Sequence, residues 1–201
     1  MELLSIVVTV LFIVVLGLVV ALWALSRQVG ILFERVSPLG ALVTDSGPAV
    51  GAEAPLFELP SLFDSSVVRI GGSNARSTLL FFLSPNCPVC KKMLPVLRSL
   101  EATEGSWVRL VLASDGNEAE HRRFAESHNL QRYPYVLSTQ MGMTFRVTRL
   151  PFAVLIGEDG LVKSKGLINN REQIESLFNA KELGVPSVQK FIEQSHLTPV
   201  V

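Results

Sequence analysis

Cysteine is scarce in this chain: Cys87 and Cys90 are the only two among 201 residues. With no other thiol available, neither can join a disulfide framework of the kind that staples small secreted domains, and a four-cysteine zinc site lacks its second half. Histidine is nearly as rare. His121, His128 and His196 have no ligand spacing around the pair and are expected at the surface. Net charge is missing too, because Lys plus Arg and Asp plus Glu both number 18. That balance leaves no broad basic field to attract nucleic acid and no acidic tail. No internal repeat or low-complexity segment occurs, and a chain of this length gives no reason to expect two globular domains.

Charge is also absent from Leu3 to Leu25, a run rich in Leu and Val. At about 1.5 Å per residue such a run crosses a hydrocarbon core of roughly 30 Å. A cleaved signal peptide would open with basic residues, carry a shorter apolar stretch and end on small residues. Here Met1-Glu2 opens the chain, and Arg27, Gln28, Glu34 and Arg35 follow without such a site. Residues 1–26 therefore read as an uncleaved transmembrane anchor, with Trp23 suited to the interfacial belt. Residues 27–48 read as a juxtamembrane helix stopped at Ser37-Pro38 and a linker through Thr44, Asp45, Ser46, Gly47 and Pro48. The globular domain is placed at 49–201. Counted literally, Arg27 and Arg35 after the span against Glu2 before it would leave that domain in the cytoplasm.

Short apolar runs alternate with helical patterns in the domain, which points to an α/β layer architecture. Strands are expected at Val67–Ile70, Thr78–Ser84, Val108–Ala113, Tyr135–Leu137, Phe152–Ile156 and Leu161–Lys165, the last two joined by Gly157-Glu158-Asp159-Gly160 as a hairpin. Helices are expected over Pro88–Glu101, where Met93, Leu94, Leu97 and Leu100 share a face and Pro95 should bend the axis, and over Glu118–His128, with Phe124 and Ala125 inward. Two more are expected near Thr139–Val147 and over Arg171–Ala180, the latter capped from Asn169-Asn170.

The chemistry concentrates at Cys87-Pro88-Val89-Cys90. If Pro88 opens the helix, Cys87 sits at its N-terminus, where free N–H groups and the dipole favour thiolate over thiol. One turn brings Cys90 within disulfide reach. The spacing makes a two-thiol switch: Cys87 exchanges with a partner disulfide through a mixed disulfide, and Cys90 resolves it.

With the motif set between a buried strand and a helix, the chain resembles the thioredoxin superfamily, supported by Val50 to Leu59 at the start of the domain and by Pro95. It is more similar still to the MauD family of methylamine utilisation accessory proteins, through Arg27 to Gly30, Leu80 to Cys90, Ala113 to Gly116 and Lys165 to Asn169. The resemblance implies a thioredoxin-like fold, a central mixed sheet flanked by helices, behind the N-terminal transmembrane helix. It implies that Pro151 is cis and that Pro88, Val89, Leu150 and Pro151 receive a client's backbone beside the catalytic Cys87 and Cys90. A trans proline opening a strand is the plain alternative. No cofactor or metal is implied beyond the redox-active Cys87–Cys90 disulfide. The implied client is the disulfide-rich small subunit of methylamine dehydrogenase, served from the inner membrane with the domain in the periplasm, against the charge count above. A redox partner for recycling is also implied, of no stated identity.

The chain departs from its relatives at two positions. Thioredoxins carry a buried acid where Phe81 stands, and cytochrome-maturation relatives carry one where Met93 stands. Without either, proton transfer at Cys90 falls to water, to a distant group such as Glu101, or to the client. Peroxidase chemistry is disfavoured by Leu80, which replaces a proline of that motif. Beside the oxidase or isomerase reading stand two others: a reductant for apocytochromes, and a non-catalytic membrane-bound chaperone.

Overall fold

In the computed structural model the described residues are 2–35, 47–64 and 66–183. They fall in two compact units, Met1–Leu39 and Gly40–Val201. The expected stop at Ser37-Pro38, most of the linker and His196 lie outside the described residues.

The first unit is one helix, α1 (Glu2–Arg35), which continues through the juxtamembrane stretch as expected. Its segment Leu4–Trp23 is 20 residues long and none of it is buried within the protein. An uncharged segment of this length, interrupted by Ser5 and Thr9 but otherwise apolar and with exposed Leu, Val, Ile and Phe side chains, is long and apolar enough to cross a lipid core.

In the second unit, β1 (Phe57–Pro60) and β2 (Val67–Ile70) form an antiparallel ribbon. The order then runs β3 (Ser77–Phe82), α2 (Pro88–Glu104), β4 (Val108–Ser114), α3 (Glu118–Ser127), β5 (Tyr135–Leu137), α4 (Thr139–Thr144), β6 (Phe152–Ile156), β7 (Val162–Leu167) and α5 (Arg171–Leu183). The main sheet is ordered β5-β4-β3-β6-β7. Strands β3, β4 and β5 run parallel, while β6 is antiparallel to both β3 and β7, so the sheet is mixed.

Every residue of β3 is buried, including the polar Ser77 and Thr78 that open it, as its near-continuous apolar run implies for a central strand covered on both faces. Its period of two sorts the core. Leu79, Phe81 and Leu83 pack with Leu97 of α2 and Ile174 and Leu177 of α5, whereas Leu80 and Phe82 pack with Val68, Ile70, Met141 and Phe145. Helix α2 buries Cys90, Met93, Leu94, Leu97 and Leu100 and runs on through the exposed Pro95 to Glu104. In the β6–β7 turn, Gly160 adopts φ +80°, and a Cβ there would meet the Gly72 carbonyl carbon at 2.8 Å. Asn170 caps α5 by accepting the Gln173 N–H at 2.9 Å.

Several element ends shift by one to three residues from the sequence reading, and two findings differ from it in kind. The strand β1 was not anticipated; at four residues, half-buried on alternate positions and paired only with β2, it carries little periodic signal. His121 is not at the surface but 2% exposed. It shares the inner face of α3 with Phe124 and Ala125, at the i, i+3 and i+4 spacing that already marked that face as buried.

Candidate active site

The active-site loop is built where β3 leaves the sheet. Cys87 donates its N–H to the Ser84 carbonyl at 3.1 Å, and its own carbonyl accepts the Lys91 N–H at 3.2 Å, the first bond of α2. It is therefore the N-cap, with extended backbone, and Pro88 occupies the first turn. The Cys90 N–H donates to the Cys87 sulfur at 3.1 Å, so a helix-terminal donor that water would otherwise satisfy points at that sulfur. The two cysteines form a disulfide, with Cα atoms 5.2 Å apart.

The pair is unsymmetrical. Cys87 is half-buried, while Cys90 is 0% exposed within the core that holds Phe81 and Met93. An incoming sulfur can reach Cys87 and not Cys90. Pro88 is exposed and Val89 half-buried beside it. The neighbouring strand completes the edge. Phe82, the last residue of β3, pairs with Phe152, the first of β6, so Leu150 and Pro151 lie at the sheet edge from which the cysteine loop departs. The Leu150-Pro151 bond is cis, as expected. Pro151 is buried and its carbonyl accepts the Ile168 N–H at 3.0 Å, while Leu150 is 37% exposed. All six residues singled out in the sequence thus gather at one edge.

Glu101 does not join them. It stands about three turns further along α2, accepting from the Tyr133 hydroxyl at 2.8 Å and pairing with Arg132 at 2.9 Å. Among the described residues no group of three His, Cys, Asp or Glu side chains is placed to hold a metal ion.

The support behind the loop comes from hydrogen bonds between residues distant in the chain. Leu83 donates to the Ala113 carbonyl at 3.0 Å and accepts the Ser114 hydroxyl at 2.7 Å, and the Asn86 amide donates to Glu120 at 2.9 Å. The corner between β4 and α3 therefore holds both ends of the segment that precedes Cys87. His121 locks that corner from inside, with Nε2 2.8 Å from the Asp115 carbonyl and Nδ1 2.7 Å from the Tyr135 hydroxyl. A carbonyl only accepts, so Nε2 carries the proton and Nδ1 accepts from Tyr135. Burial pushes the Tyr135 phenol up, which keeps it a donor.

Comparison with known proteins places this site in a family. A family profile described as Thioredoxin-like matches residues 74–162. The Methylamine utilization protein MauD of Paracoccus denitrificans is 46% identical over 184 residues, covering 90% of both chains. The chain belongs to the MauD family. The MauD of Methylorubrum extorquens is 45% identical, covering 90% of this chain and 88% of its own, and that of Methylophilus methylotrophus is 40% identical, covering 92% and 87%. Among solved structures, the thioredoxin domain of a thiol-disulfide oxidoreductase from Bacteroides vulgatus superposes with a TM-score of 0.56 at 17% identity, covering 65% of this chain and 96% of its own. StoA from Bacillus subtilis does so with 0.52 at 24%, covering 65% and 99%. These likenesses establish the thioredoxin-like fold that the resemblance implied. A MauD-family chain with a thioredoxin-like domain is a dithiol–disulfide exchange enzyme, and Cys87 and Cys90 are the two cysteines it has.

Proposed function

We propose that the chain is an inner-membrane protein, anchored by α1, whose second unit works in the periplasm on the small subunit of methylamine dehydrogenase. Residues 1–26 are the anchor, 27–48 the connection and 49–201 the working domain. The relatives' name, Methylamine utilization protein, ties the family to methylamine utilisation, and disulfide formation belongs outside the cytoplasm. Arg27 and Arg35 after the span against Glu2 before it weigh little in the charge rule.

The accessible Cys87 sulfur beside the buried Cys90 carries the proposed mechanism. A client thiolate attacks Cys87, the Cys87–Cys90 bond breaks, and Cys90 takes a proton as it leaves. A second client thiolate then attacks the client sulfur of the mixed disulfide, and Cys87 departs as a thiolate stabilised by the helix N-terminus. Two electrons pass from client to protein, and the client gains one disulfide. Run in reverse, the same steps open a wrong disulfide and permit its isomerisation. Pro88, Val89, Leu150 and Pro151 would hold the client backbone across the edge. With Phe81 and Met93 in place of acids and Glu101 far off, the Cys90 proton comes from water or the client. That apolar setting disfavours the apocytochrome reductant reading.

Complementation tests the proposal. In a host lacking its own copy and grown on methylamine, Cys87→Ser and Cys90→Ser should each leave the small subunit unaccumulated on immunoblots and dehydrogenase activity at background. Full maturation by the double serine variant would mean that the protein holds its client without exchanging disulfides.

A further inference from the structure

Asp64 and Glu101 bracket a stretch of chain with no acidic residue, and Glu126 and Glu158 bracket another. These two stretches supply the redox edge. The first carries β3, the cysteine loop and the first turns of α2; the second carries α4 and the Leu150-Pro151 approach to β6. Lys91 and Lys92 follow Cys90 directly, and Arg146 and Arg149 come just before Pro151. All four are exposed. Among the described residues none of the four takes part in an ion pair, and neither do Arg76, Arg98, Arg109 and Arg123, whereas Arg69, Arg122, Arg132, Lys163, Arg171 and Lys181 each hold a carboxylate. The nearby acids lie on the β4–α3 side, at Asp115, Glu118 and Glu120, and two of them are engaged: Glu118 with Arg122 and Glu120 with Asn86.

A chain of zero net charge thus leaves cations without carboxylate partners on both segments that flank its reactive sulfurs. Solvated Lys and Arg contribute little to stability when unpaired, but their potential extends about a Debye length, roughly 8–10 Å, and biases encounters at the edge. We propose that Lys91, Lys92, Arg146 and Arg149 form a docking rim for a client polypeptide that carries acidic residues beside its reactive cysteine. This deepens the exchange reading above and rests on it. An anionic lipid surface would present similar chemistry, but Lys91 and Lys92 follow the cysteine pair directly and Arg146 and Arg149 shortly precede Pro151, on the segments that a client of the exchange must approach.

The test uses the full-length reduced protein in neutral detergent and two disulfide-bonded peptides that differ only in Asp or Lys residues flanking the cysteine. The readout is the ratio of their exchange rates, which cancels any change in Cys87 reactivity itself. At about 20 mM salt the Asp peptide should react roughly tenfold faster, and at about 0.5 M the ratio should fall to within about twofold. The fourfold variant K91E/K92E/R146E/R149E should invert the low-salt ratio. A wild-type ratio near one, or a ratio unchanged in the variant, overturns the rim. So does the finding that the same substitutions abolish binding to anionic lipid vesicles while peptide preference stays flat. Exchange with the uncharged 2-hydroxyethyl disulfide is run in parallel: its absence would overturn the exchange reading, and its presence without peptide preference would overturn the rim alone.

Discussion

His121 shows how a single residue outside the motif sets the motif's surroundings. Its ring satisfies the Asp115 carbonyl and the Tyr135 hydroxyl inside the protein, and the corner it braces holds Leu83 and Asn86 ahead of Cys87. Removing one member of a buried hydrogen-bonded pair leaves the other desolvated, at about 1–3 kcal/mol per group. His121→Ala should therefore lower stability by about 3 kcal/mol and Tyr135→Phe by about 1–2 kcal/mol, measured by urea unfolding of the full chain in detergent. Equal stability of both variants and wild type would contradict the geometry of that corner. The absence of metal-ligand spacing around His121 says nothing of its burial, which is why the expected surface position is not observed. The helix face shared with Phe124 and Ala125 held the answer.

At the scale of elements, α5 is fastened to the sheet by Lys181. Its ammonium donates to Glu158 and to the Ser77 hydroxyl, each at 2.8 Å, and lies 4.5 Å from the centre of the Trp107 ring. The Lys181 hydrogen bond, aided by Ser77, holds the Glu158 carboxyl at about 2 against an ordinary 4.5. A folded pKa below the unfolded one contributes stability that is complete above the unfolded value and is lost as pH falls from 4.5 towards about 2. The Glu158 side chain is 43% exposed, so solvent screens the pair and the contribution expected is about 1 kcal/mol. Lys181→Met should cost that much in urea unfolding at neutral pH, with the gap to wild type closing near the acid end of this range; a gap independent of pH would exclude the ion pair as its source.

The elements also show which parts of the fold were legible in advance. Strands β2, β5 and β6 and helix α2 were readable because apolar runs or a 3.6-residue period marked them. The redox loop was equally plain, since Pro88 after Cys87 carries both helix start and chemistry. What escaped were long-range hydrogen bonds such as Asn86 to Glu120 and Ser114 to Leu83. Their partners are far apart in the chain and of types that are ordinarily solvated, so no local pattern reports them.

The whole molecule combines an apolar helix, a candidate membrane span, with a thioredoxin-like unit in which Lys91, Lys92, Arg146 and Arg149 hold no carboxylate among the described residues. Such a protein would work on clients that arrive at the membrane surface, and its chemistry stands or falls with a covalent intermediate at Cys87. Trapping that intermediate is the decisive measurement. Cys90→Ser, expressed in cells making methylamine dehydrogenase and quenched with acid and alkylating agent, should run on non-reducing gels as an adduct that mass spectrometry resolves into this chain joined through Cys87 to the dehydrogenase small subunit. An adduct with an apocytochrome, or no adduct while the subunit still matures, would contradict the proposed exchange.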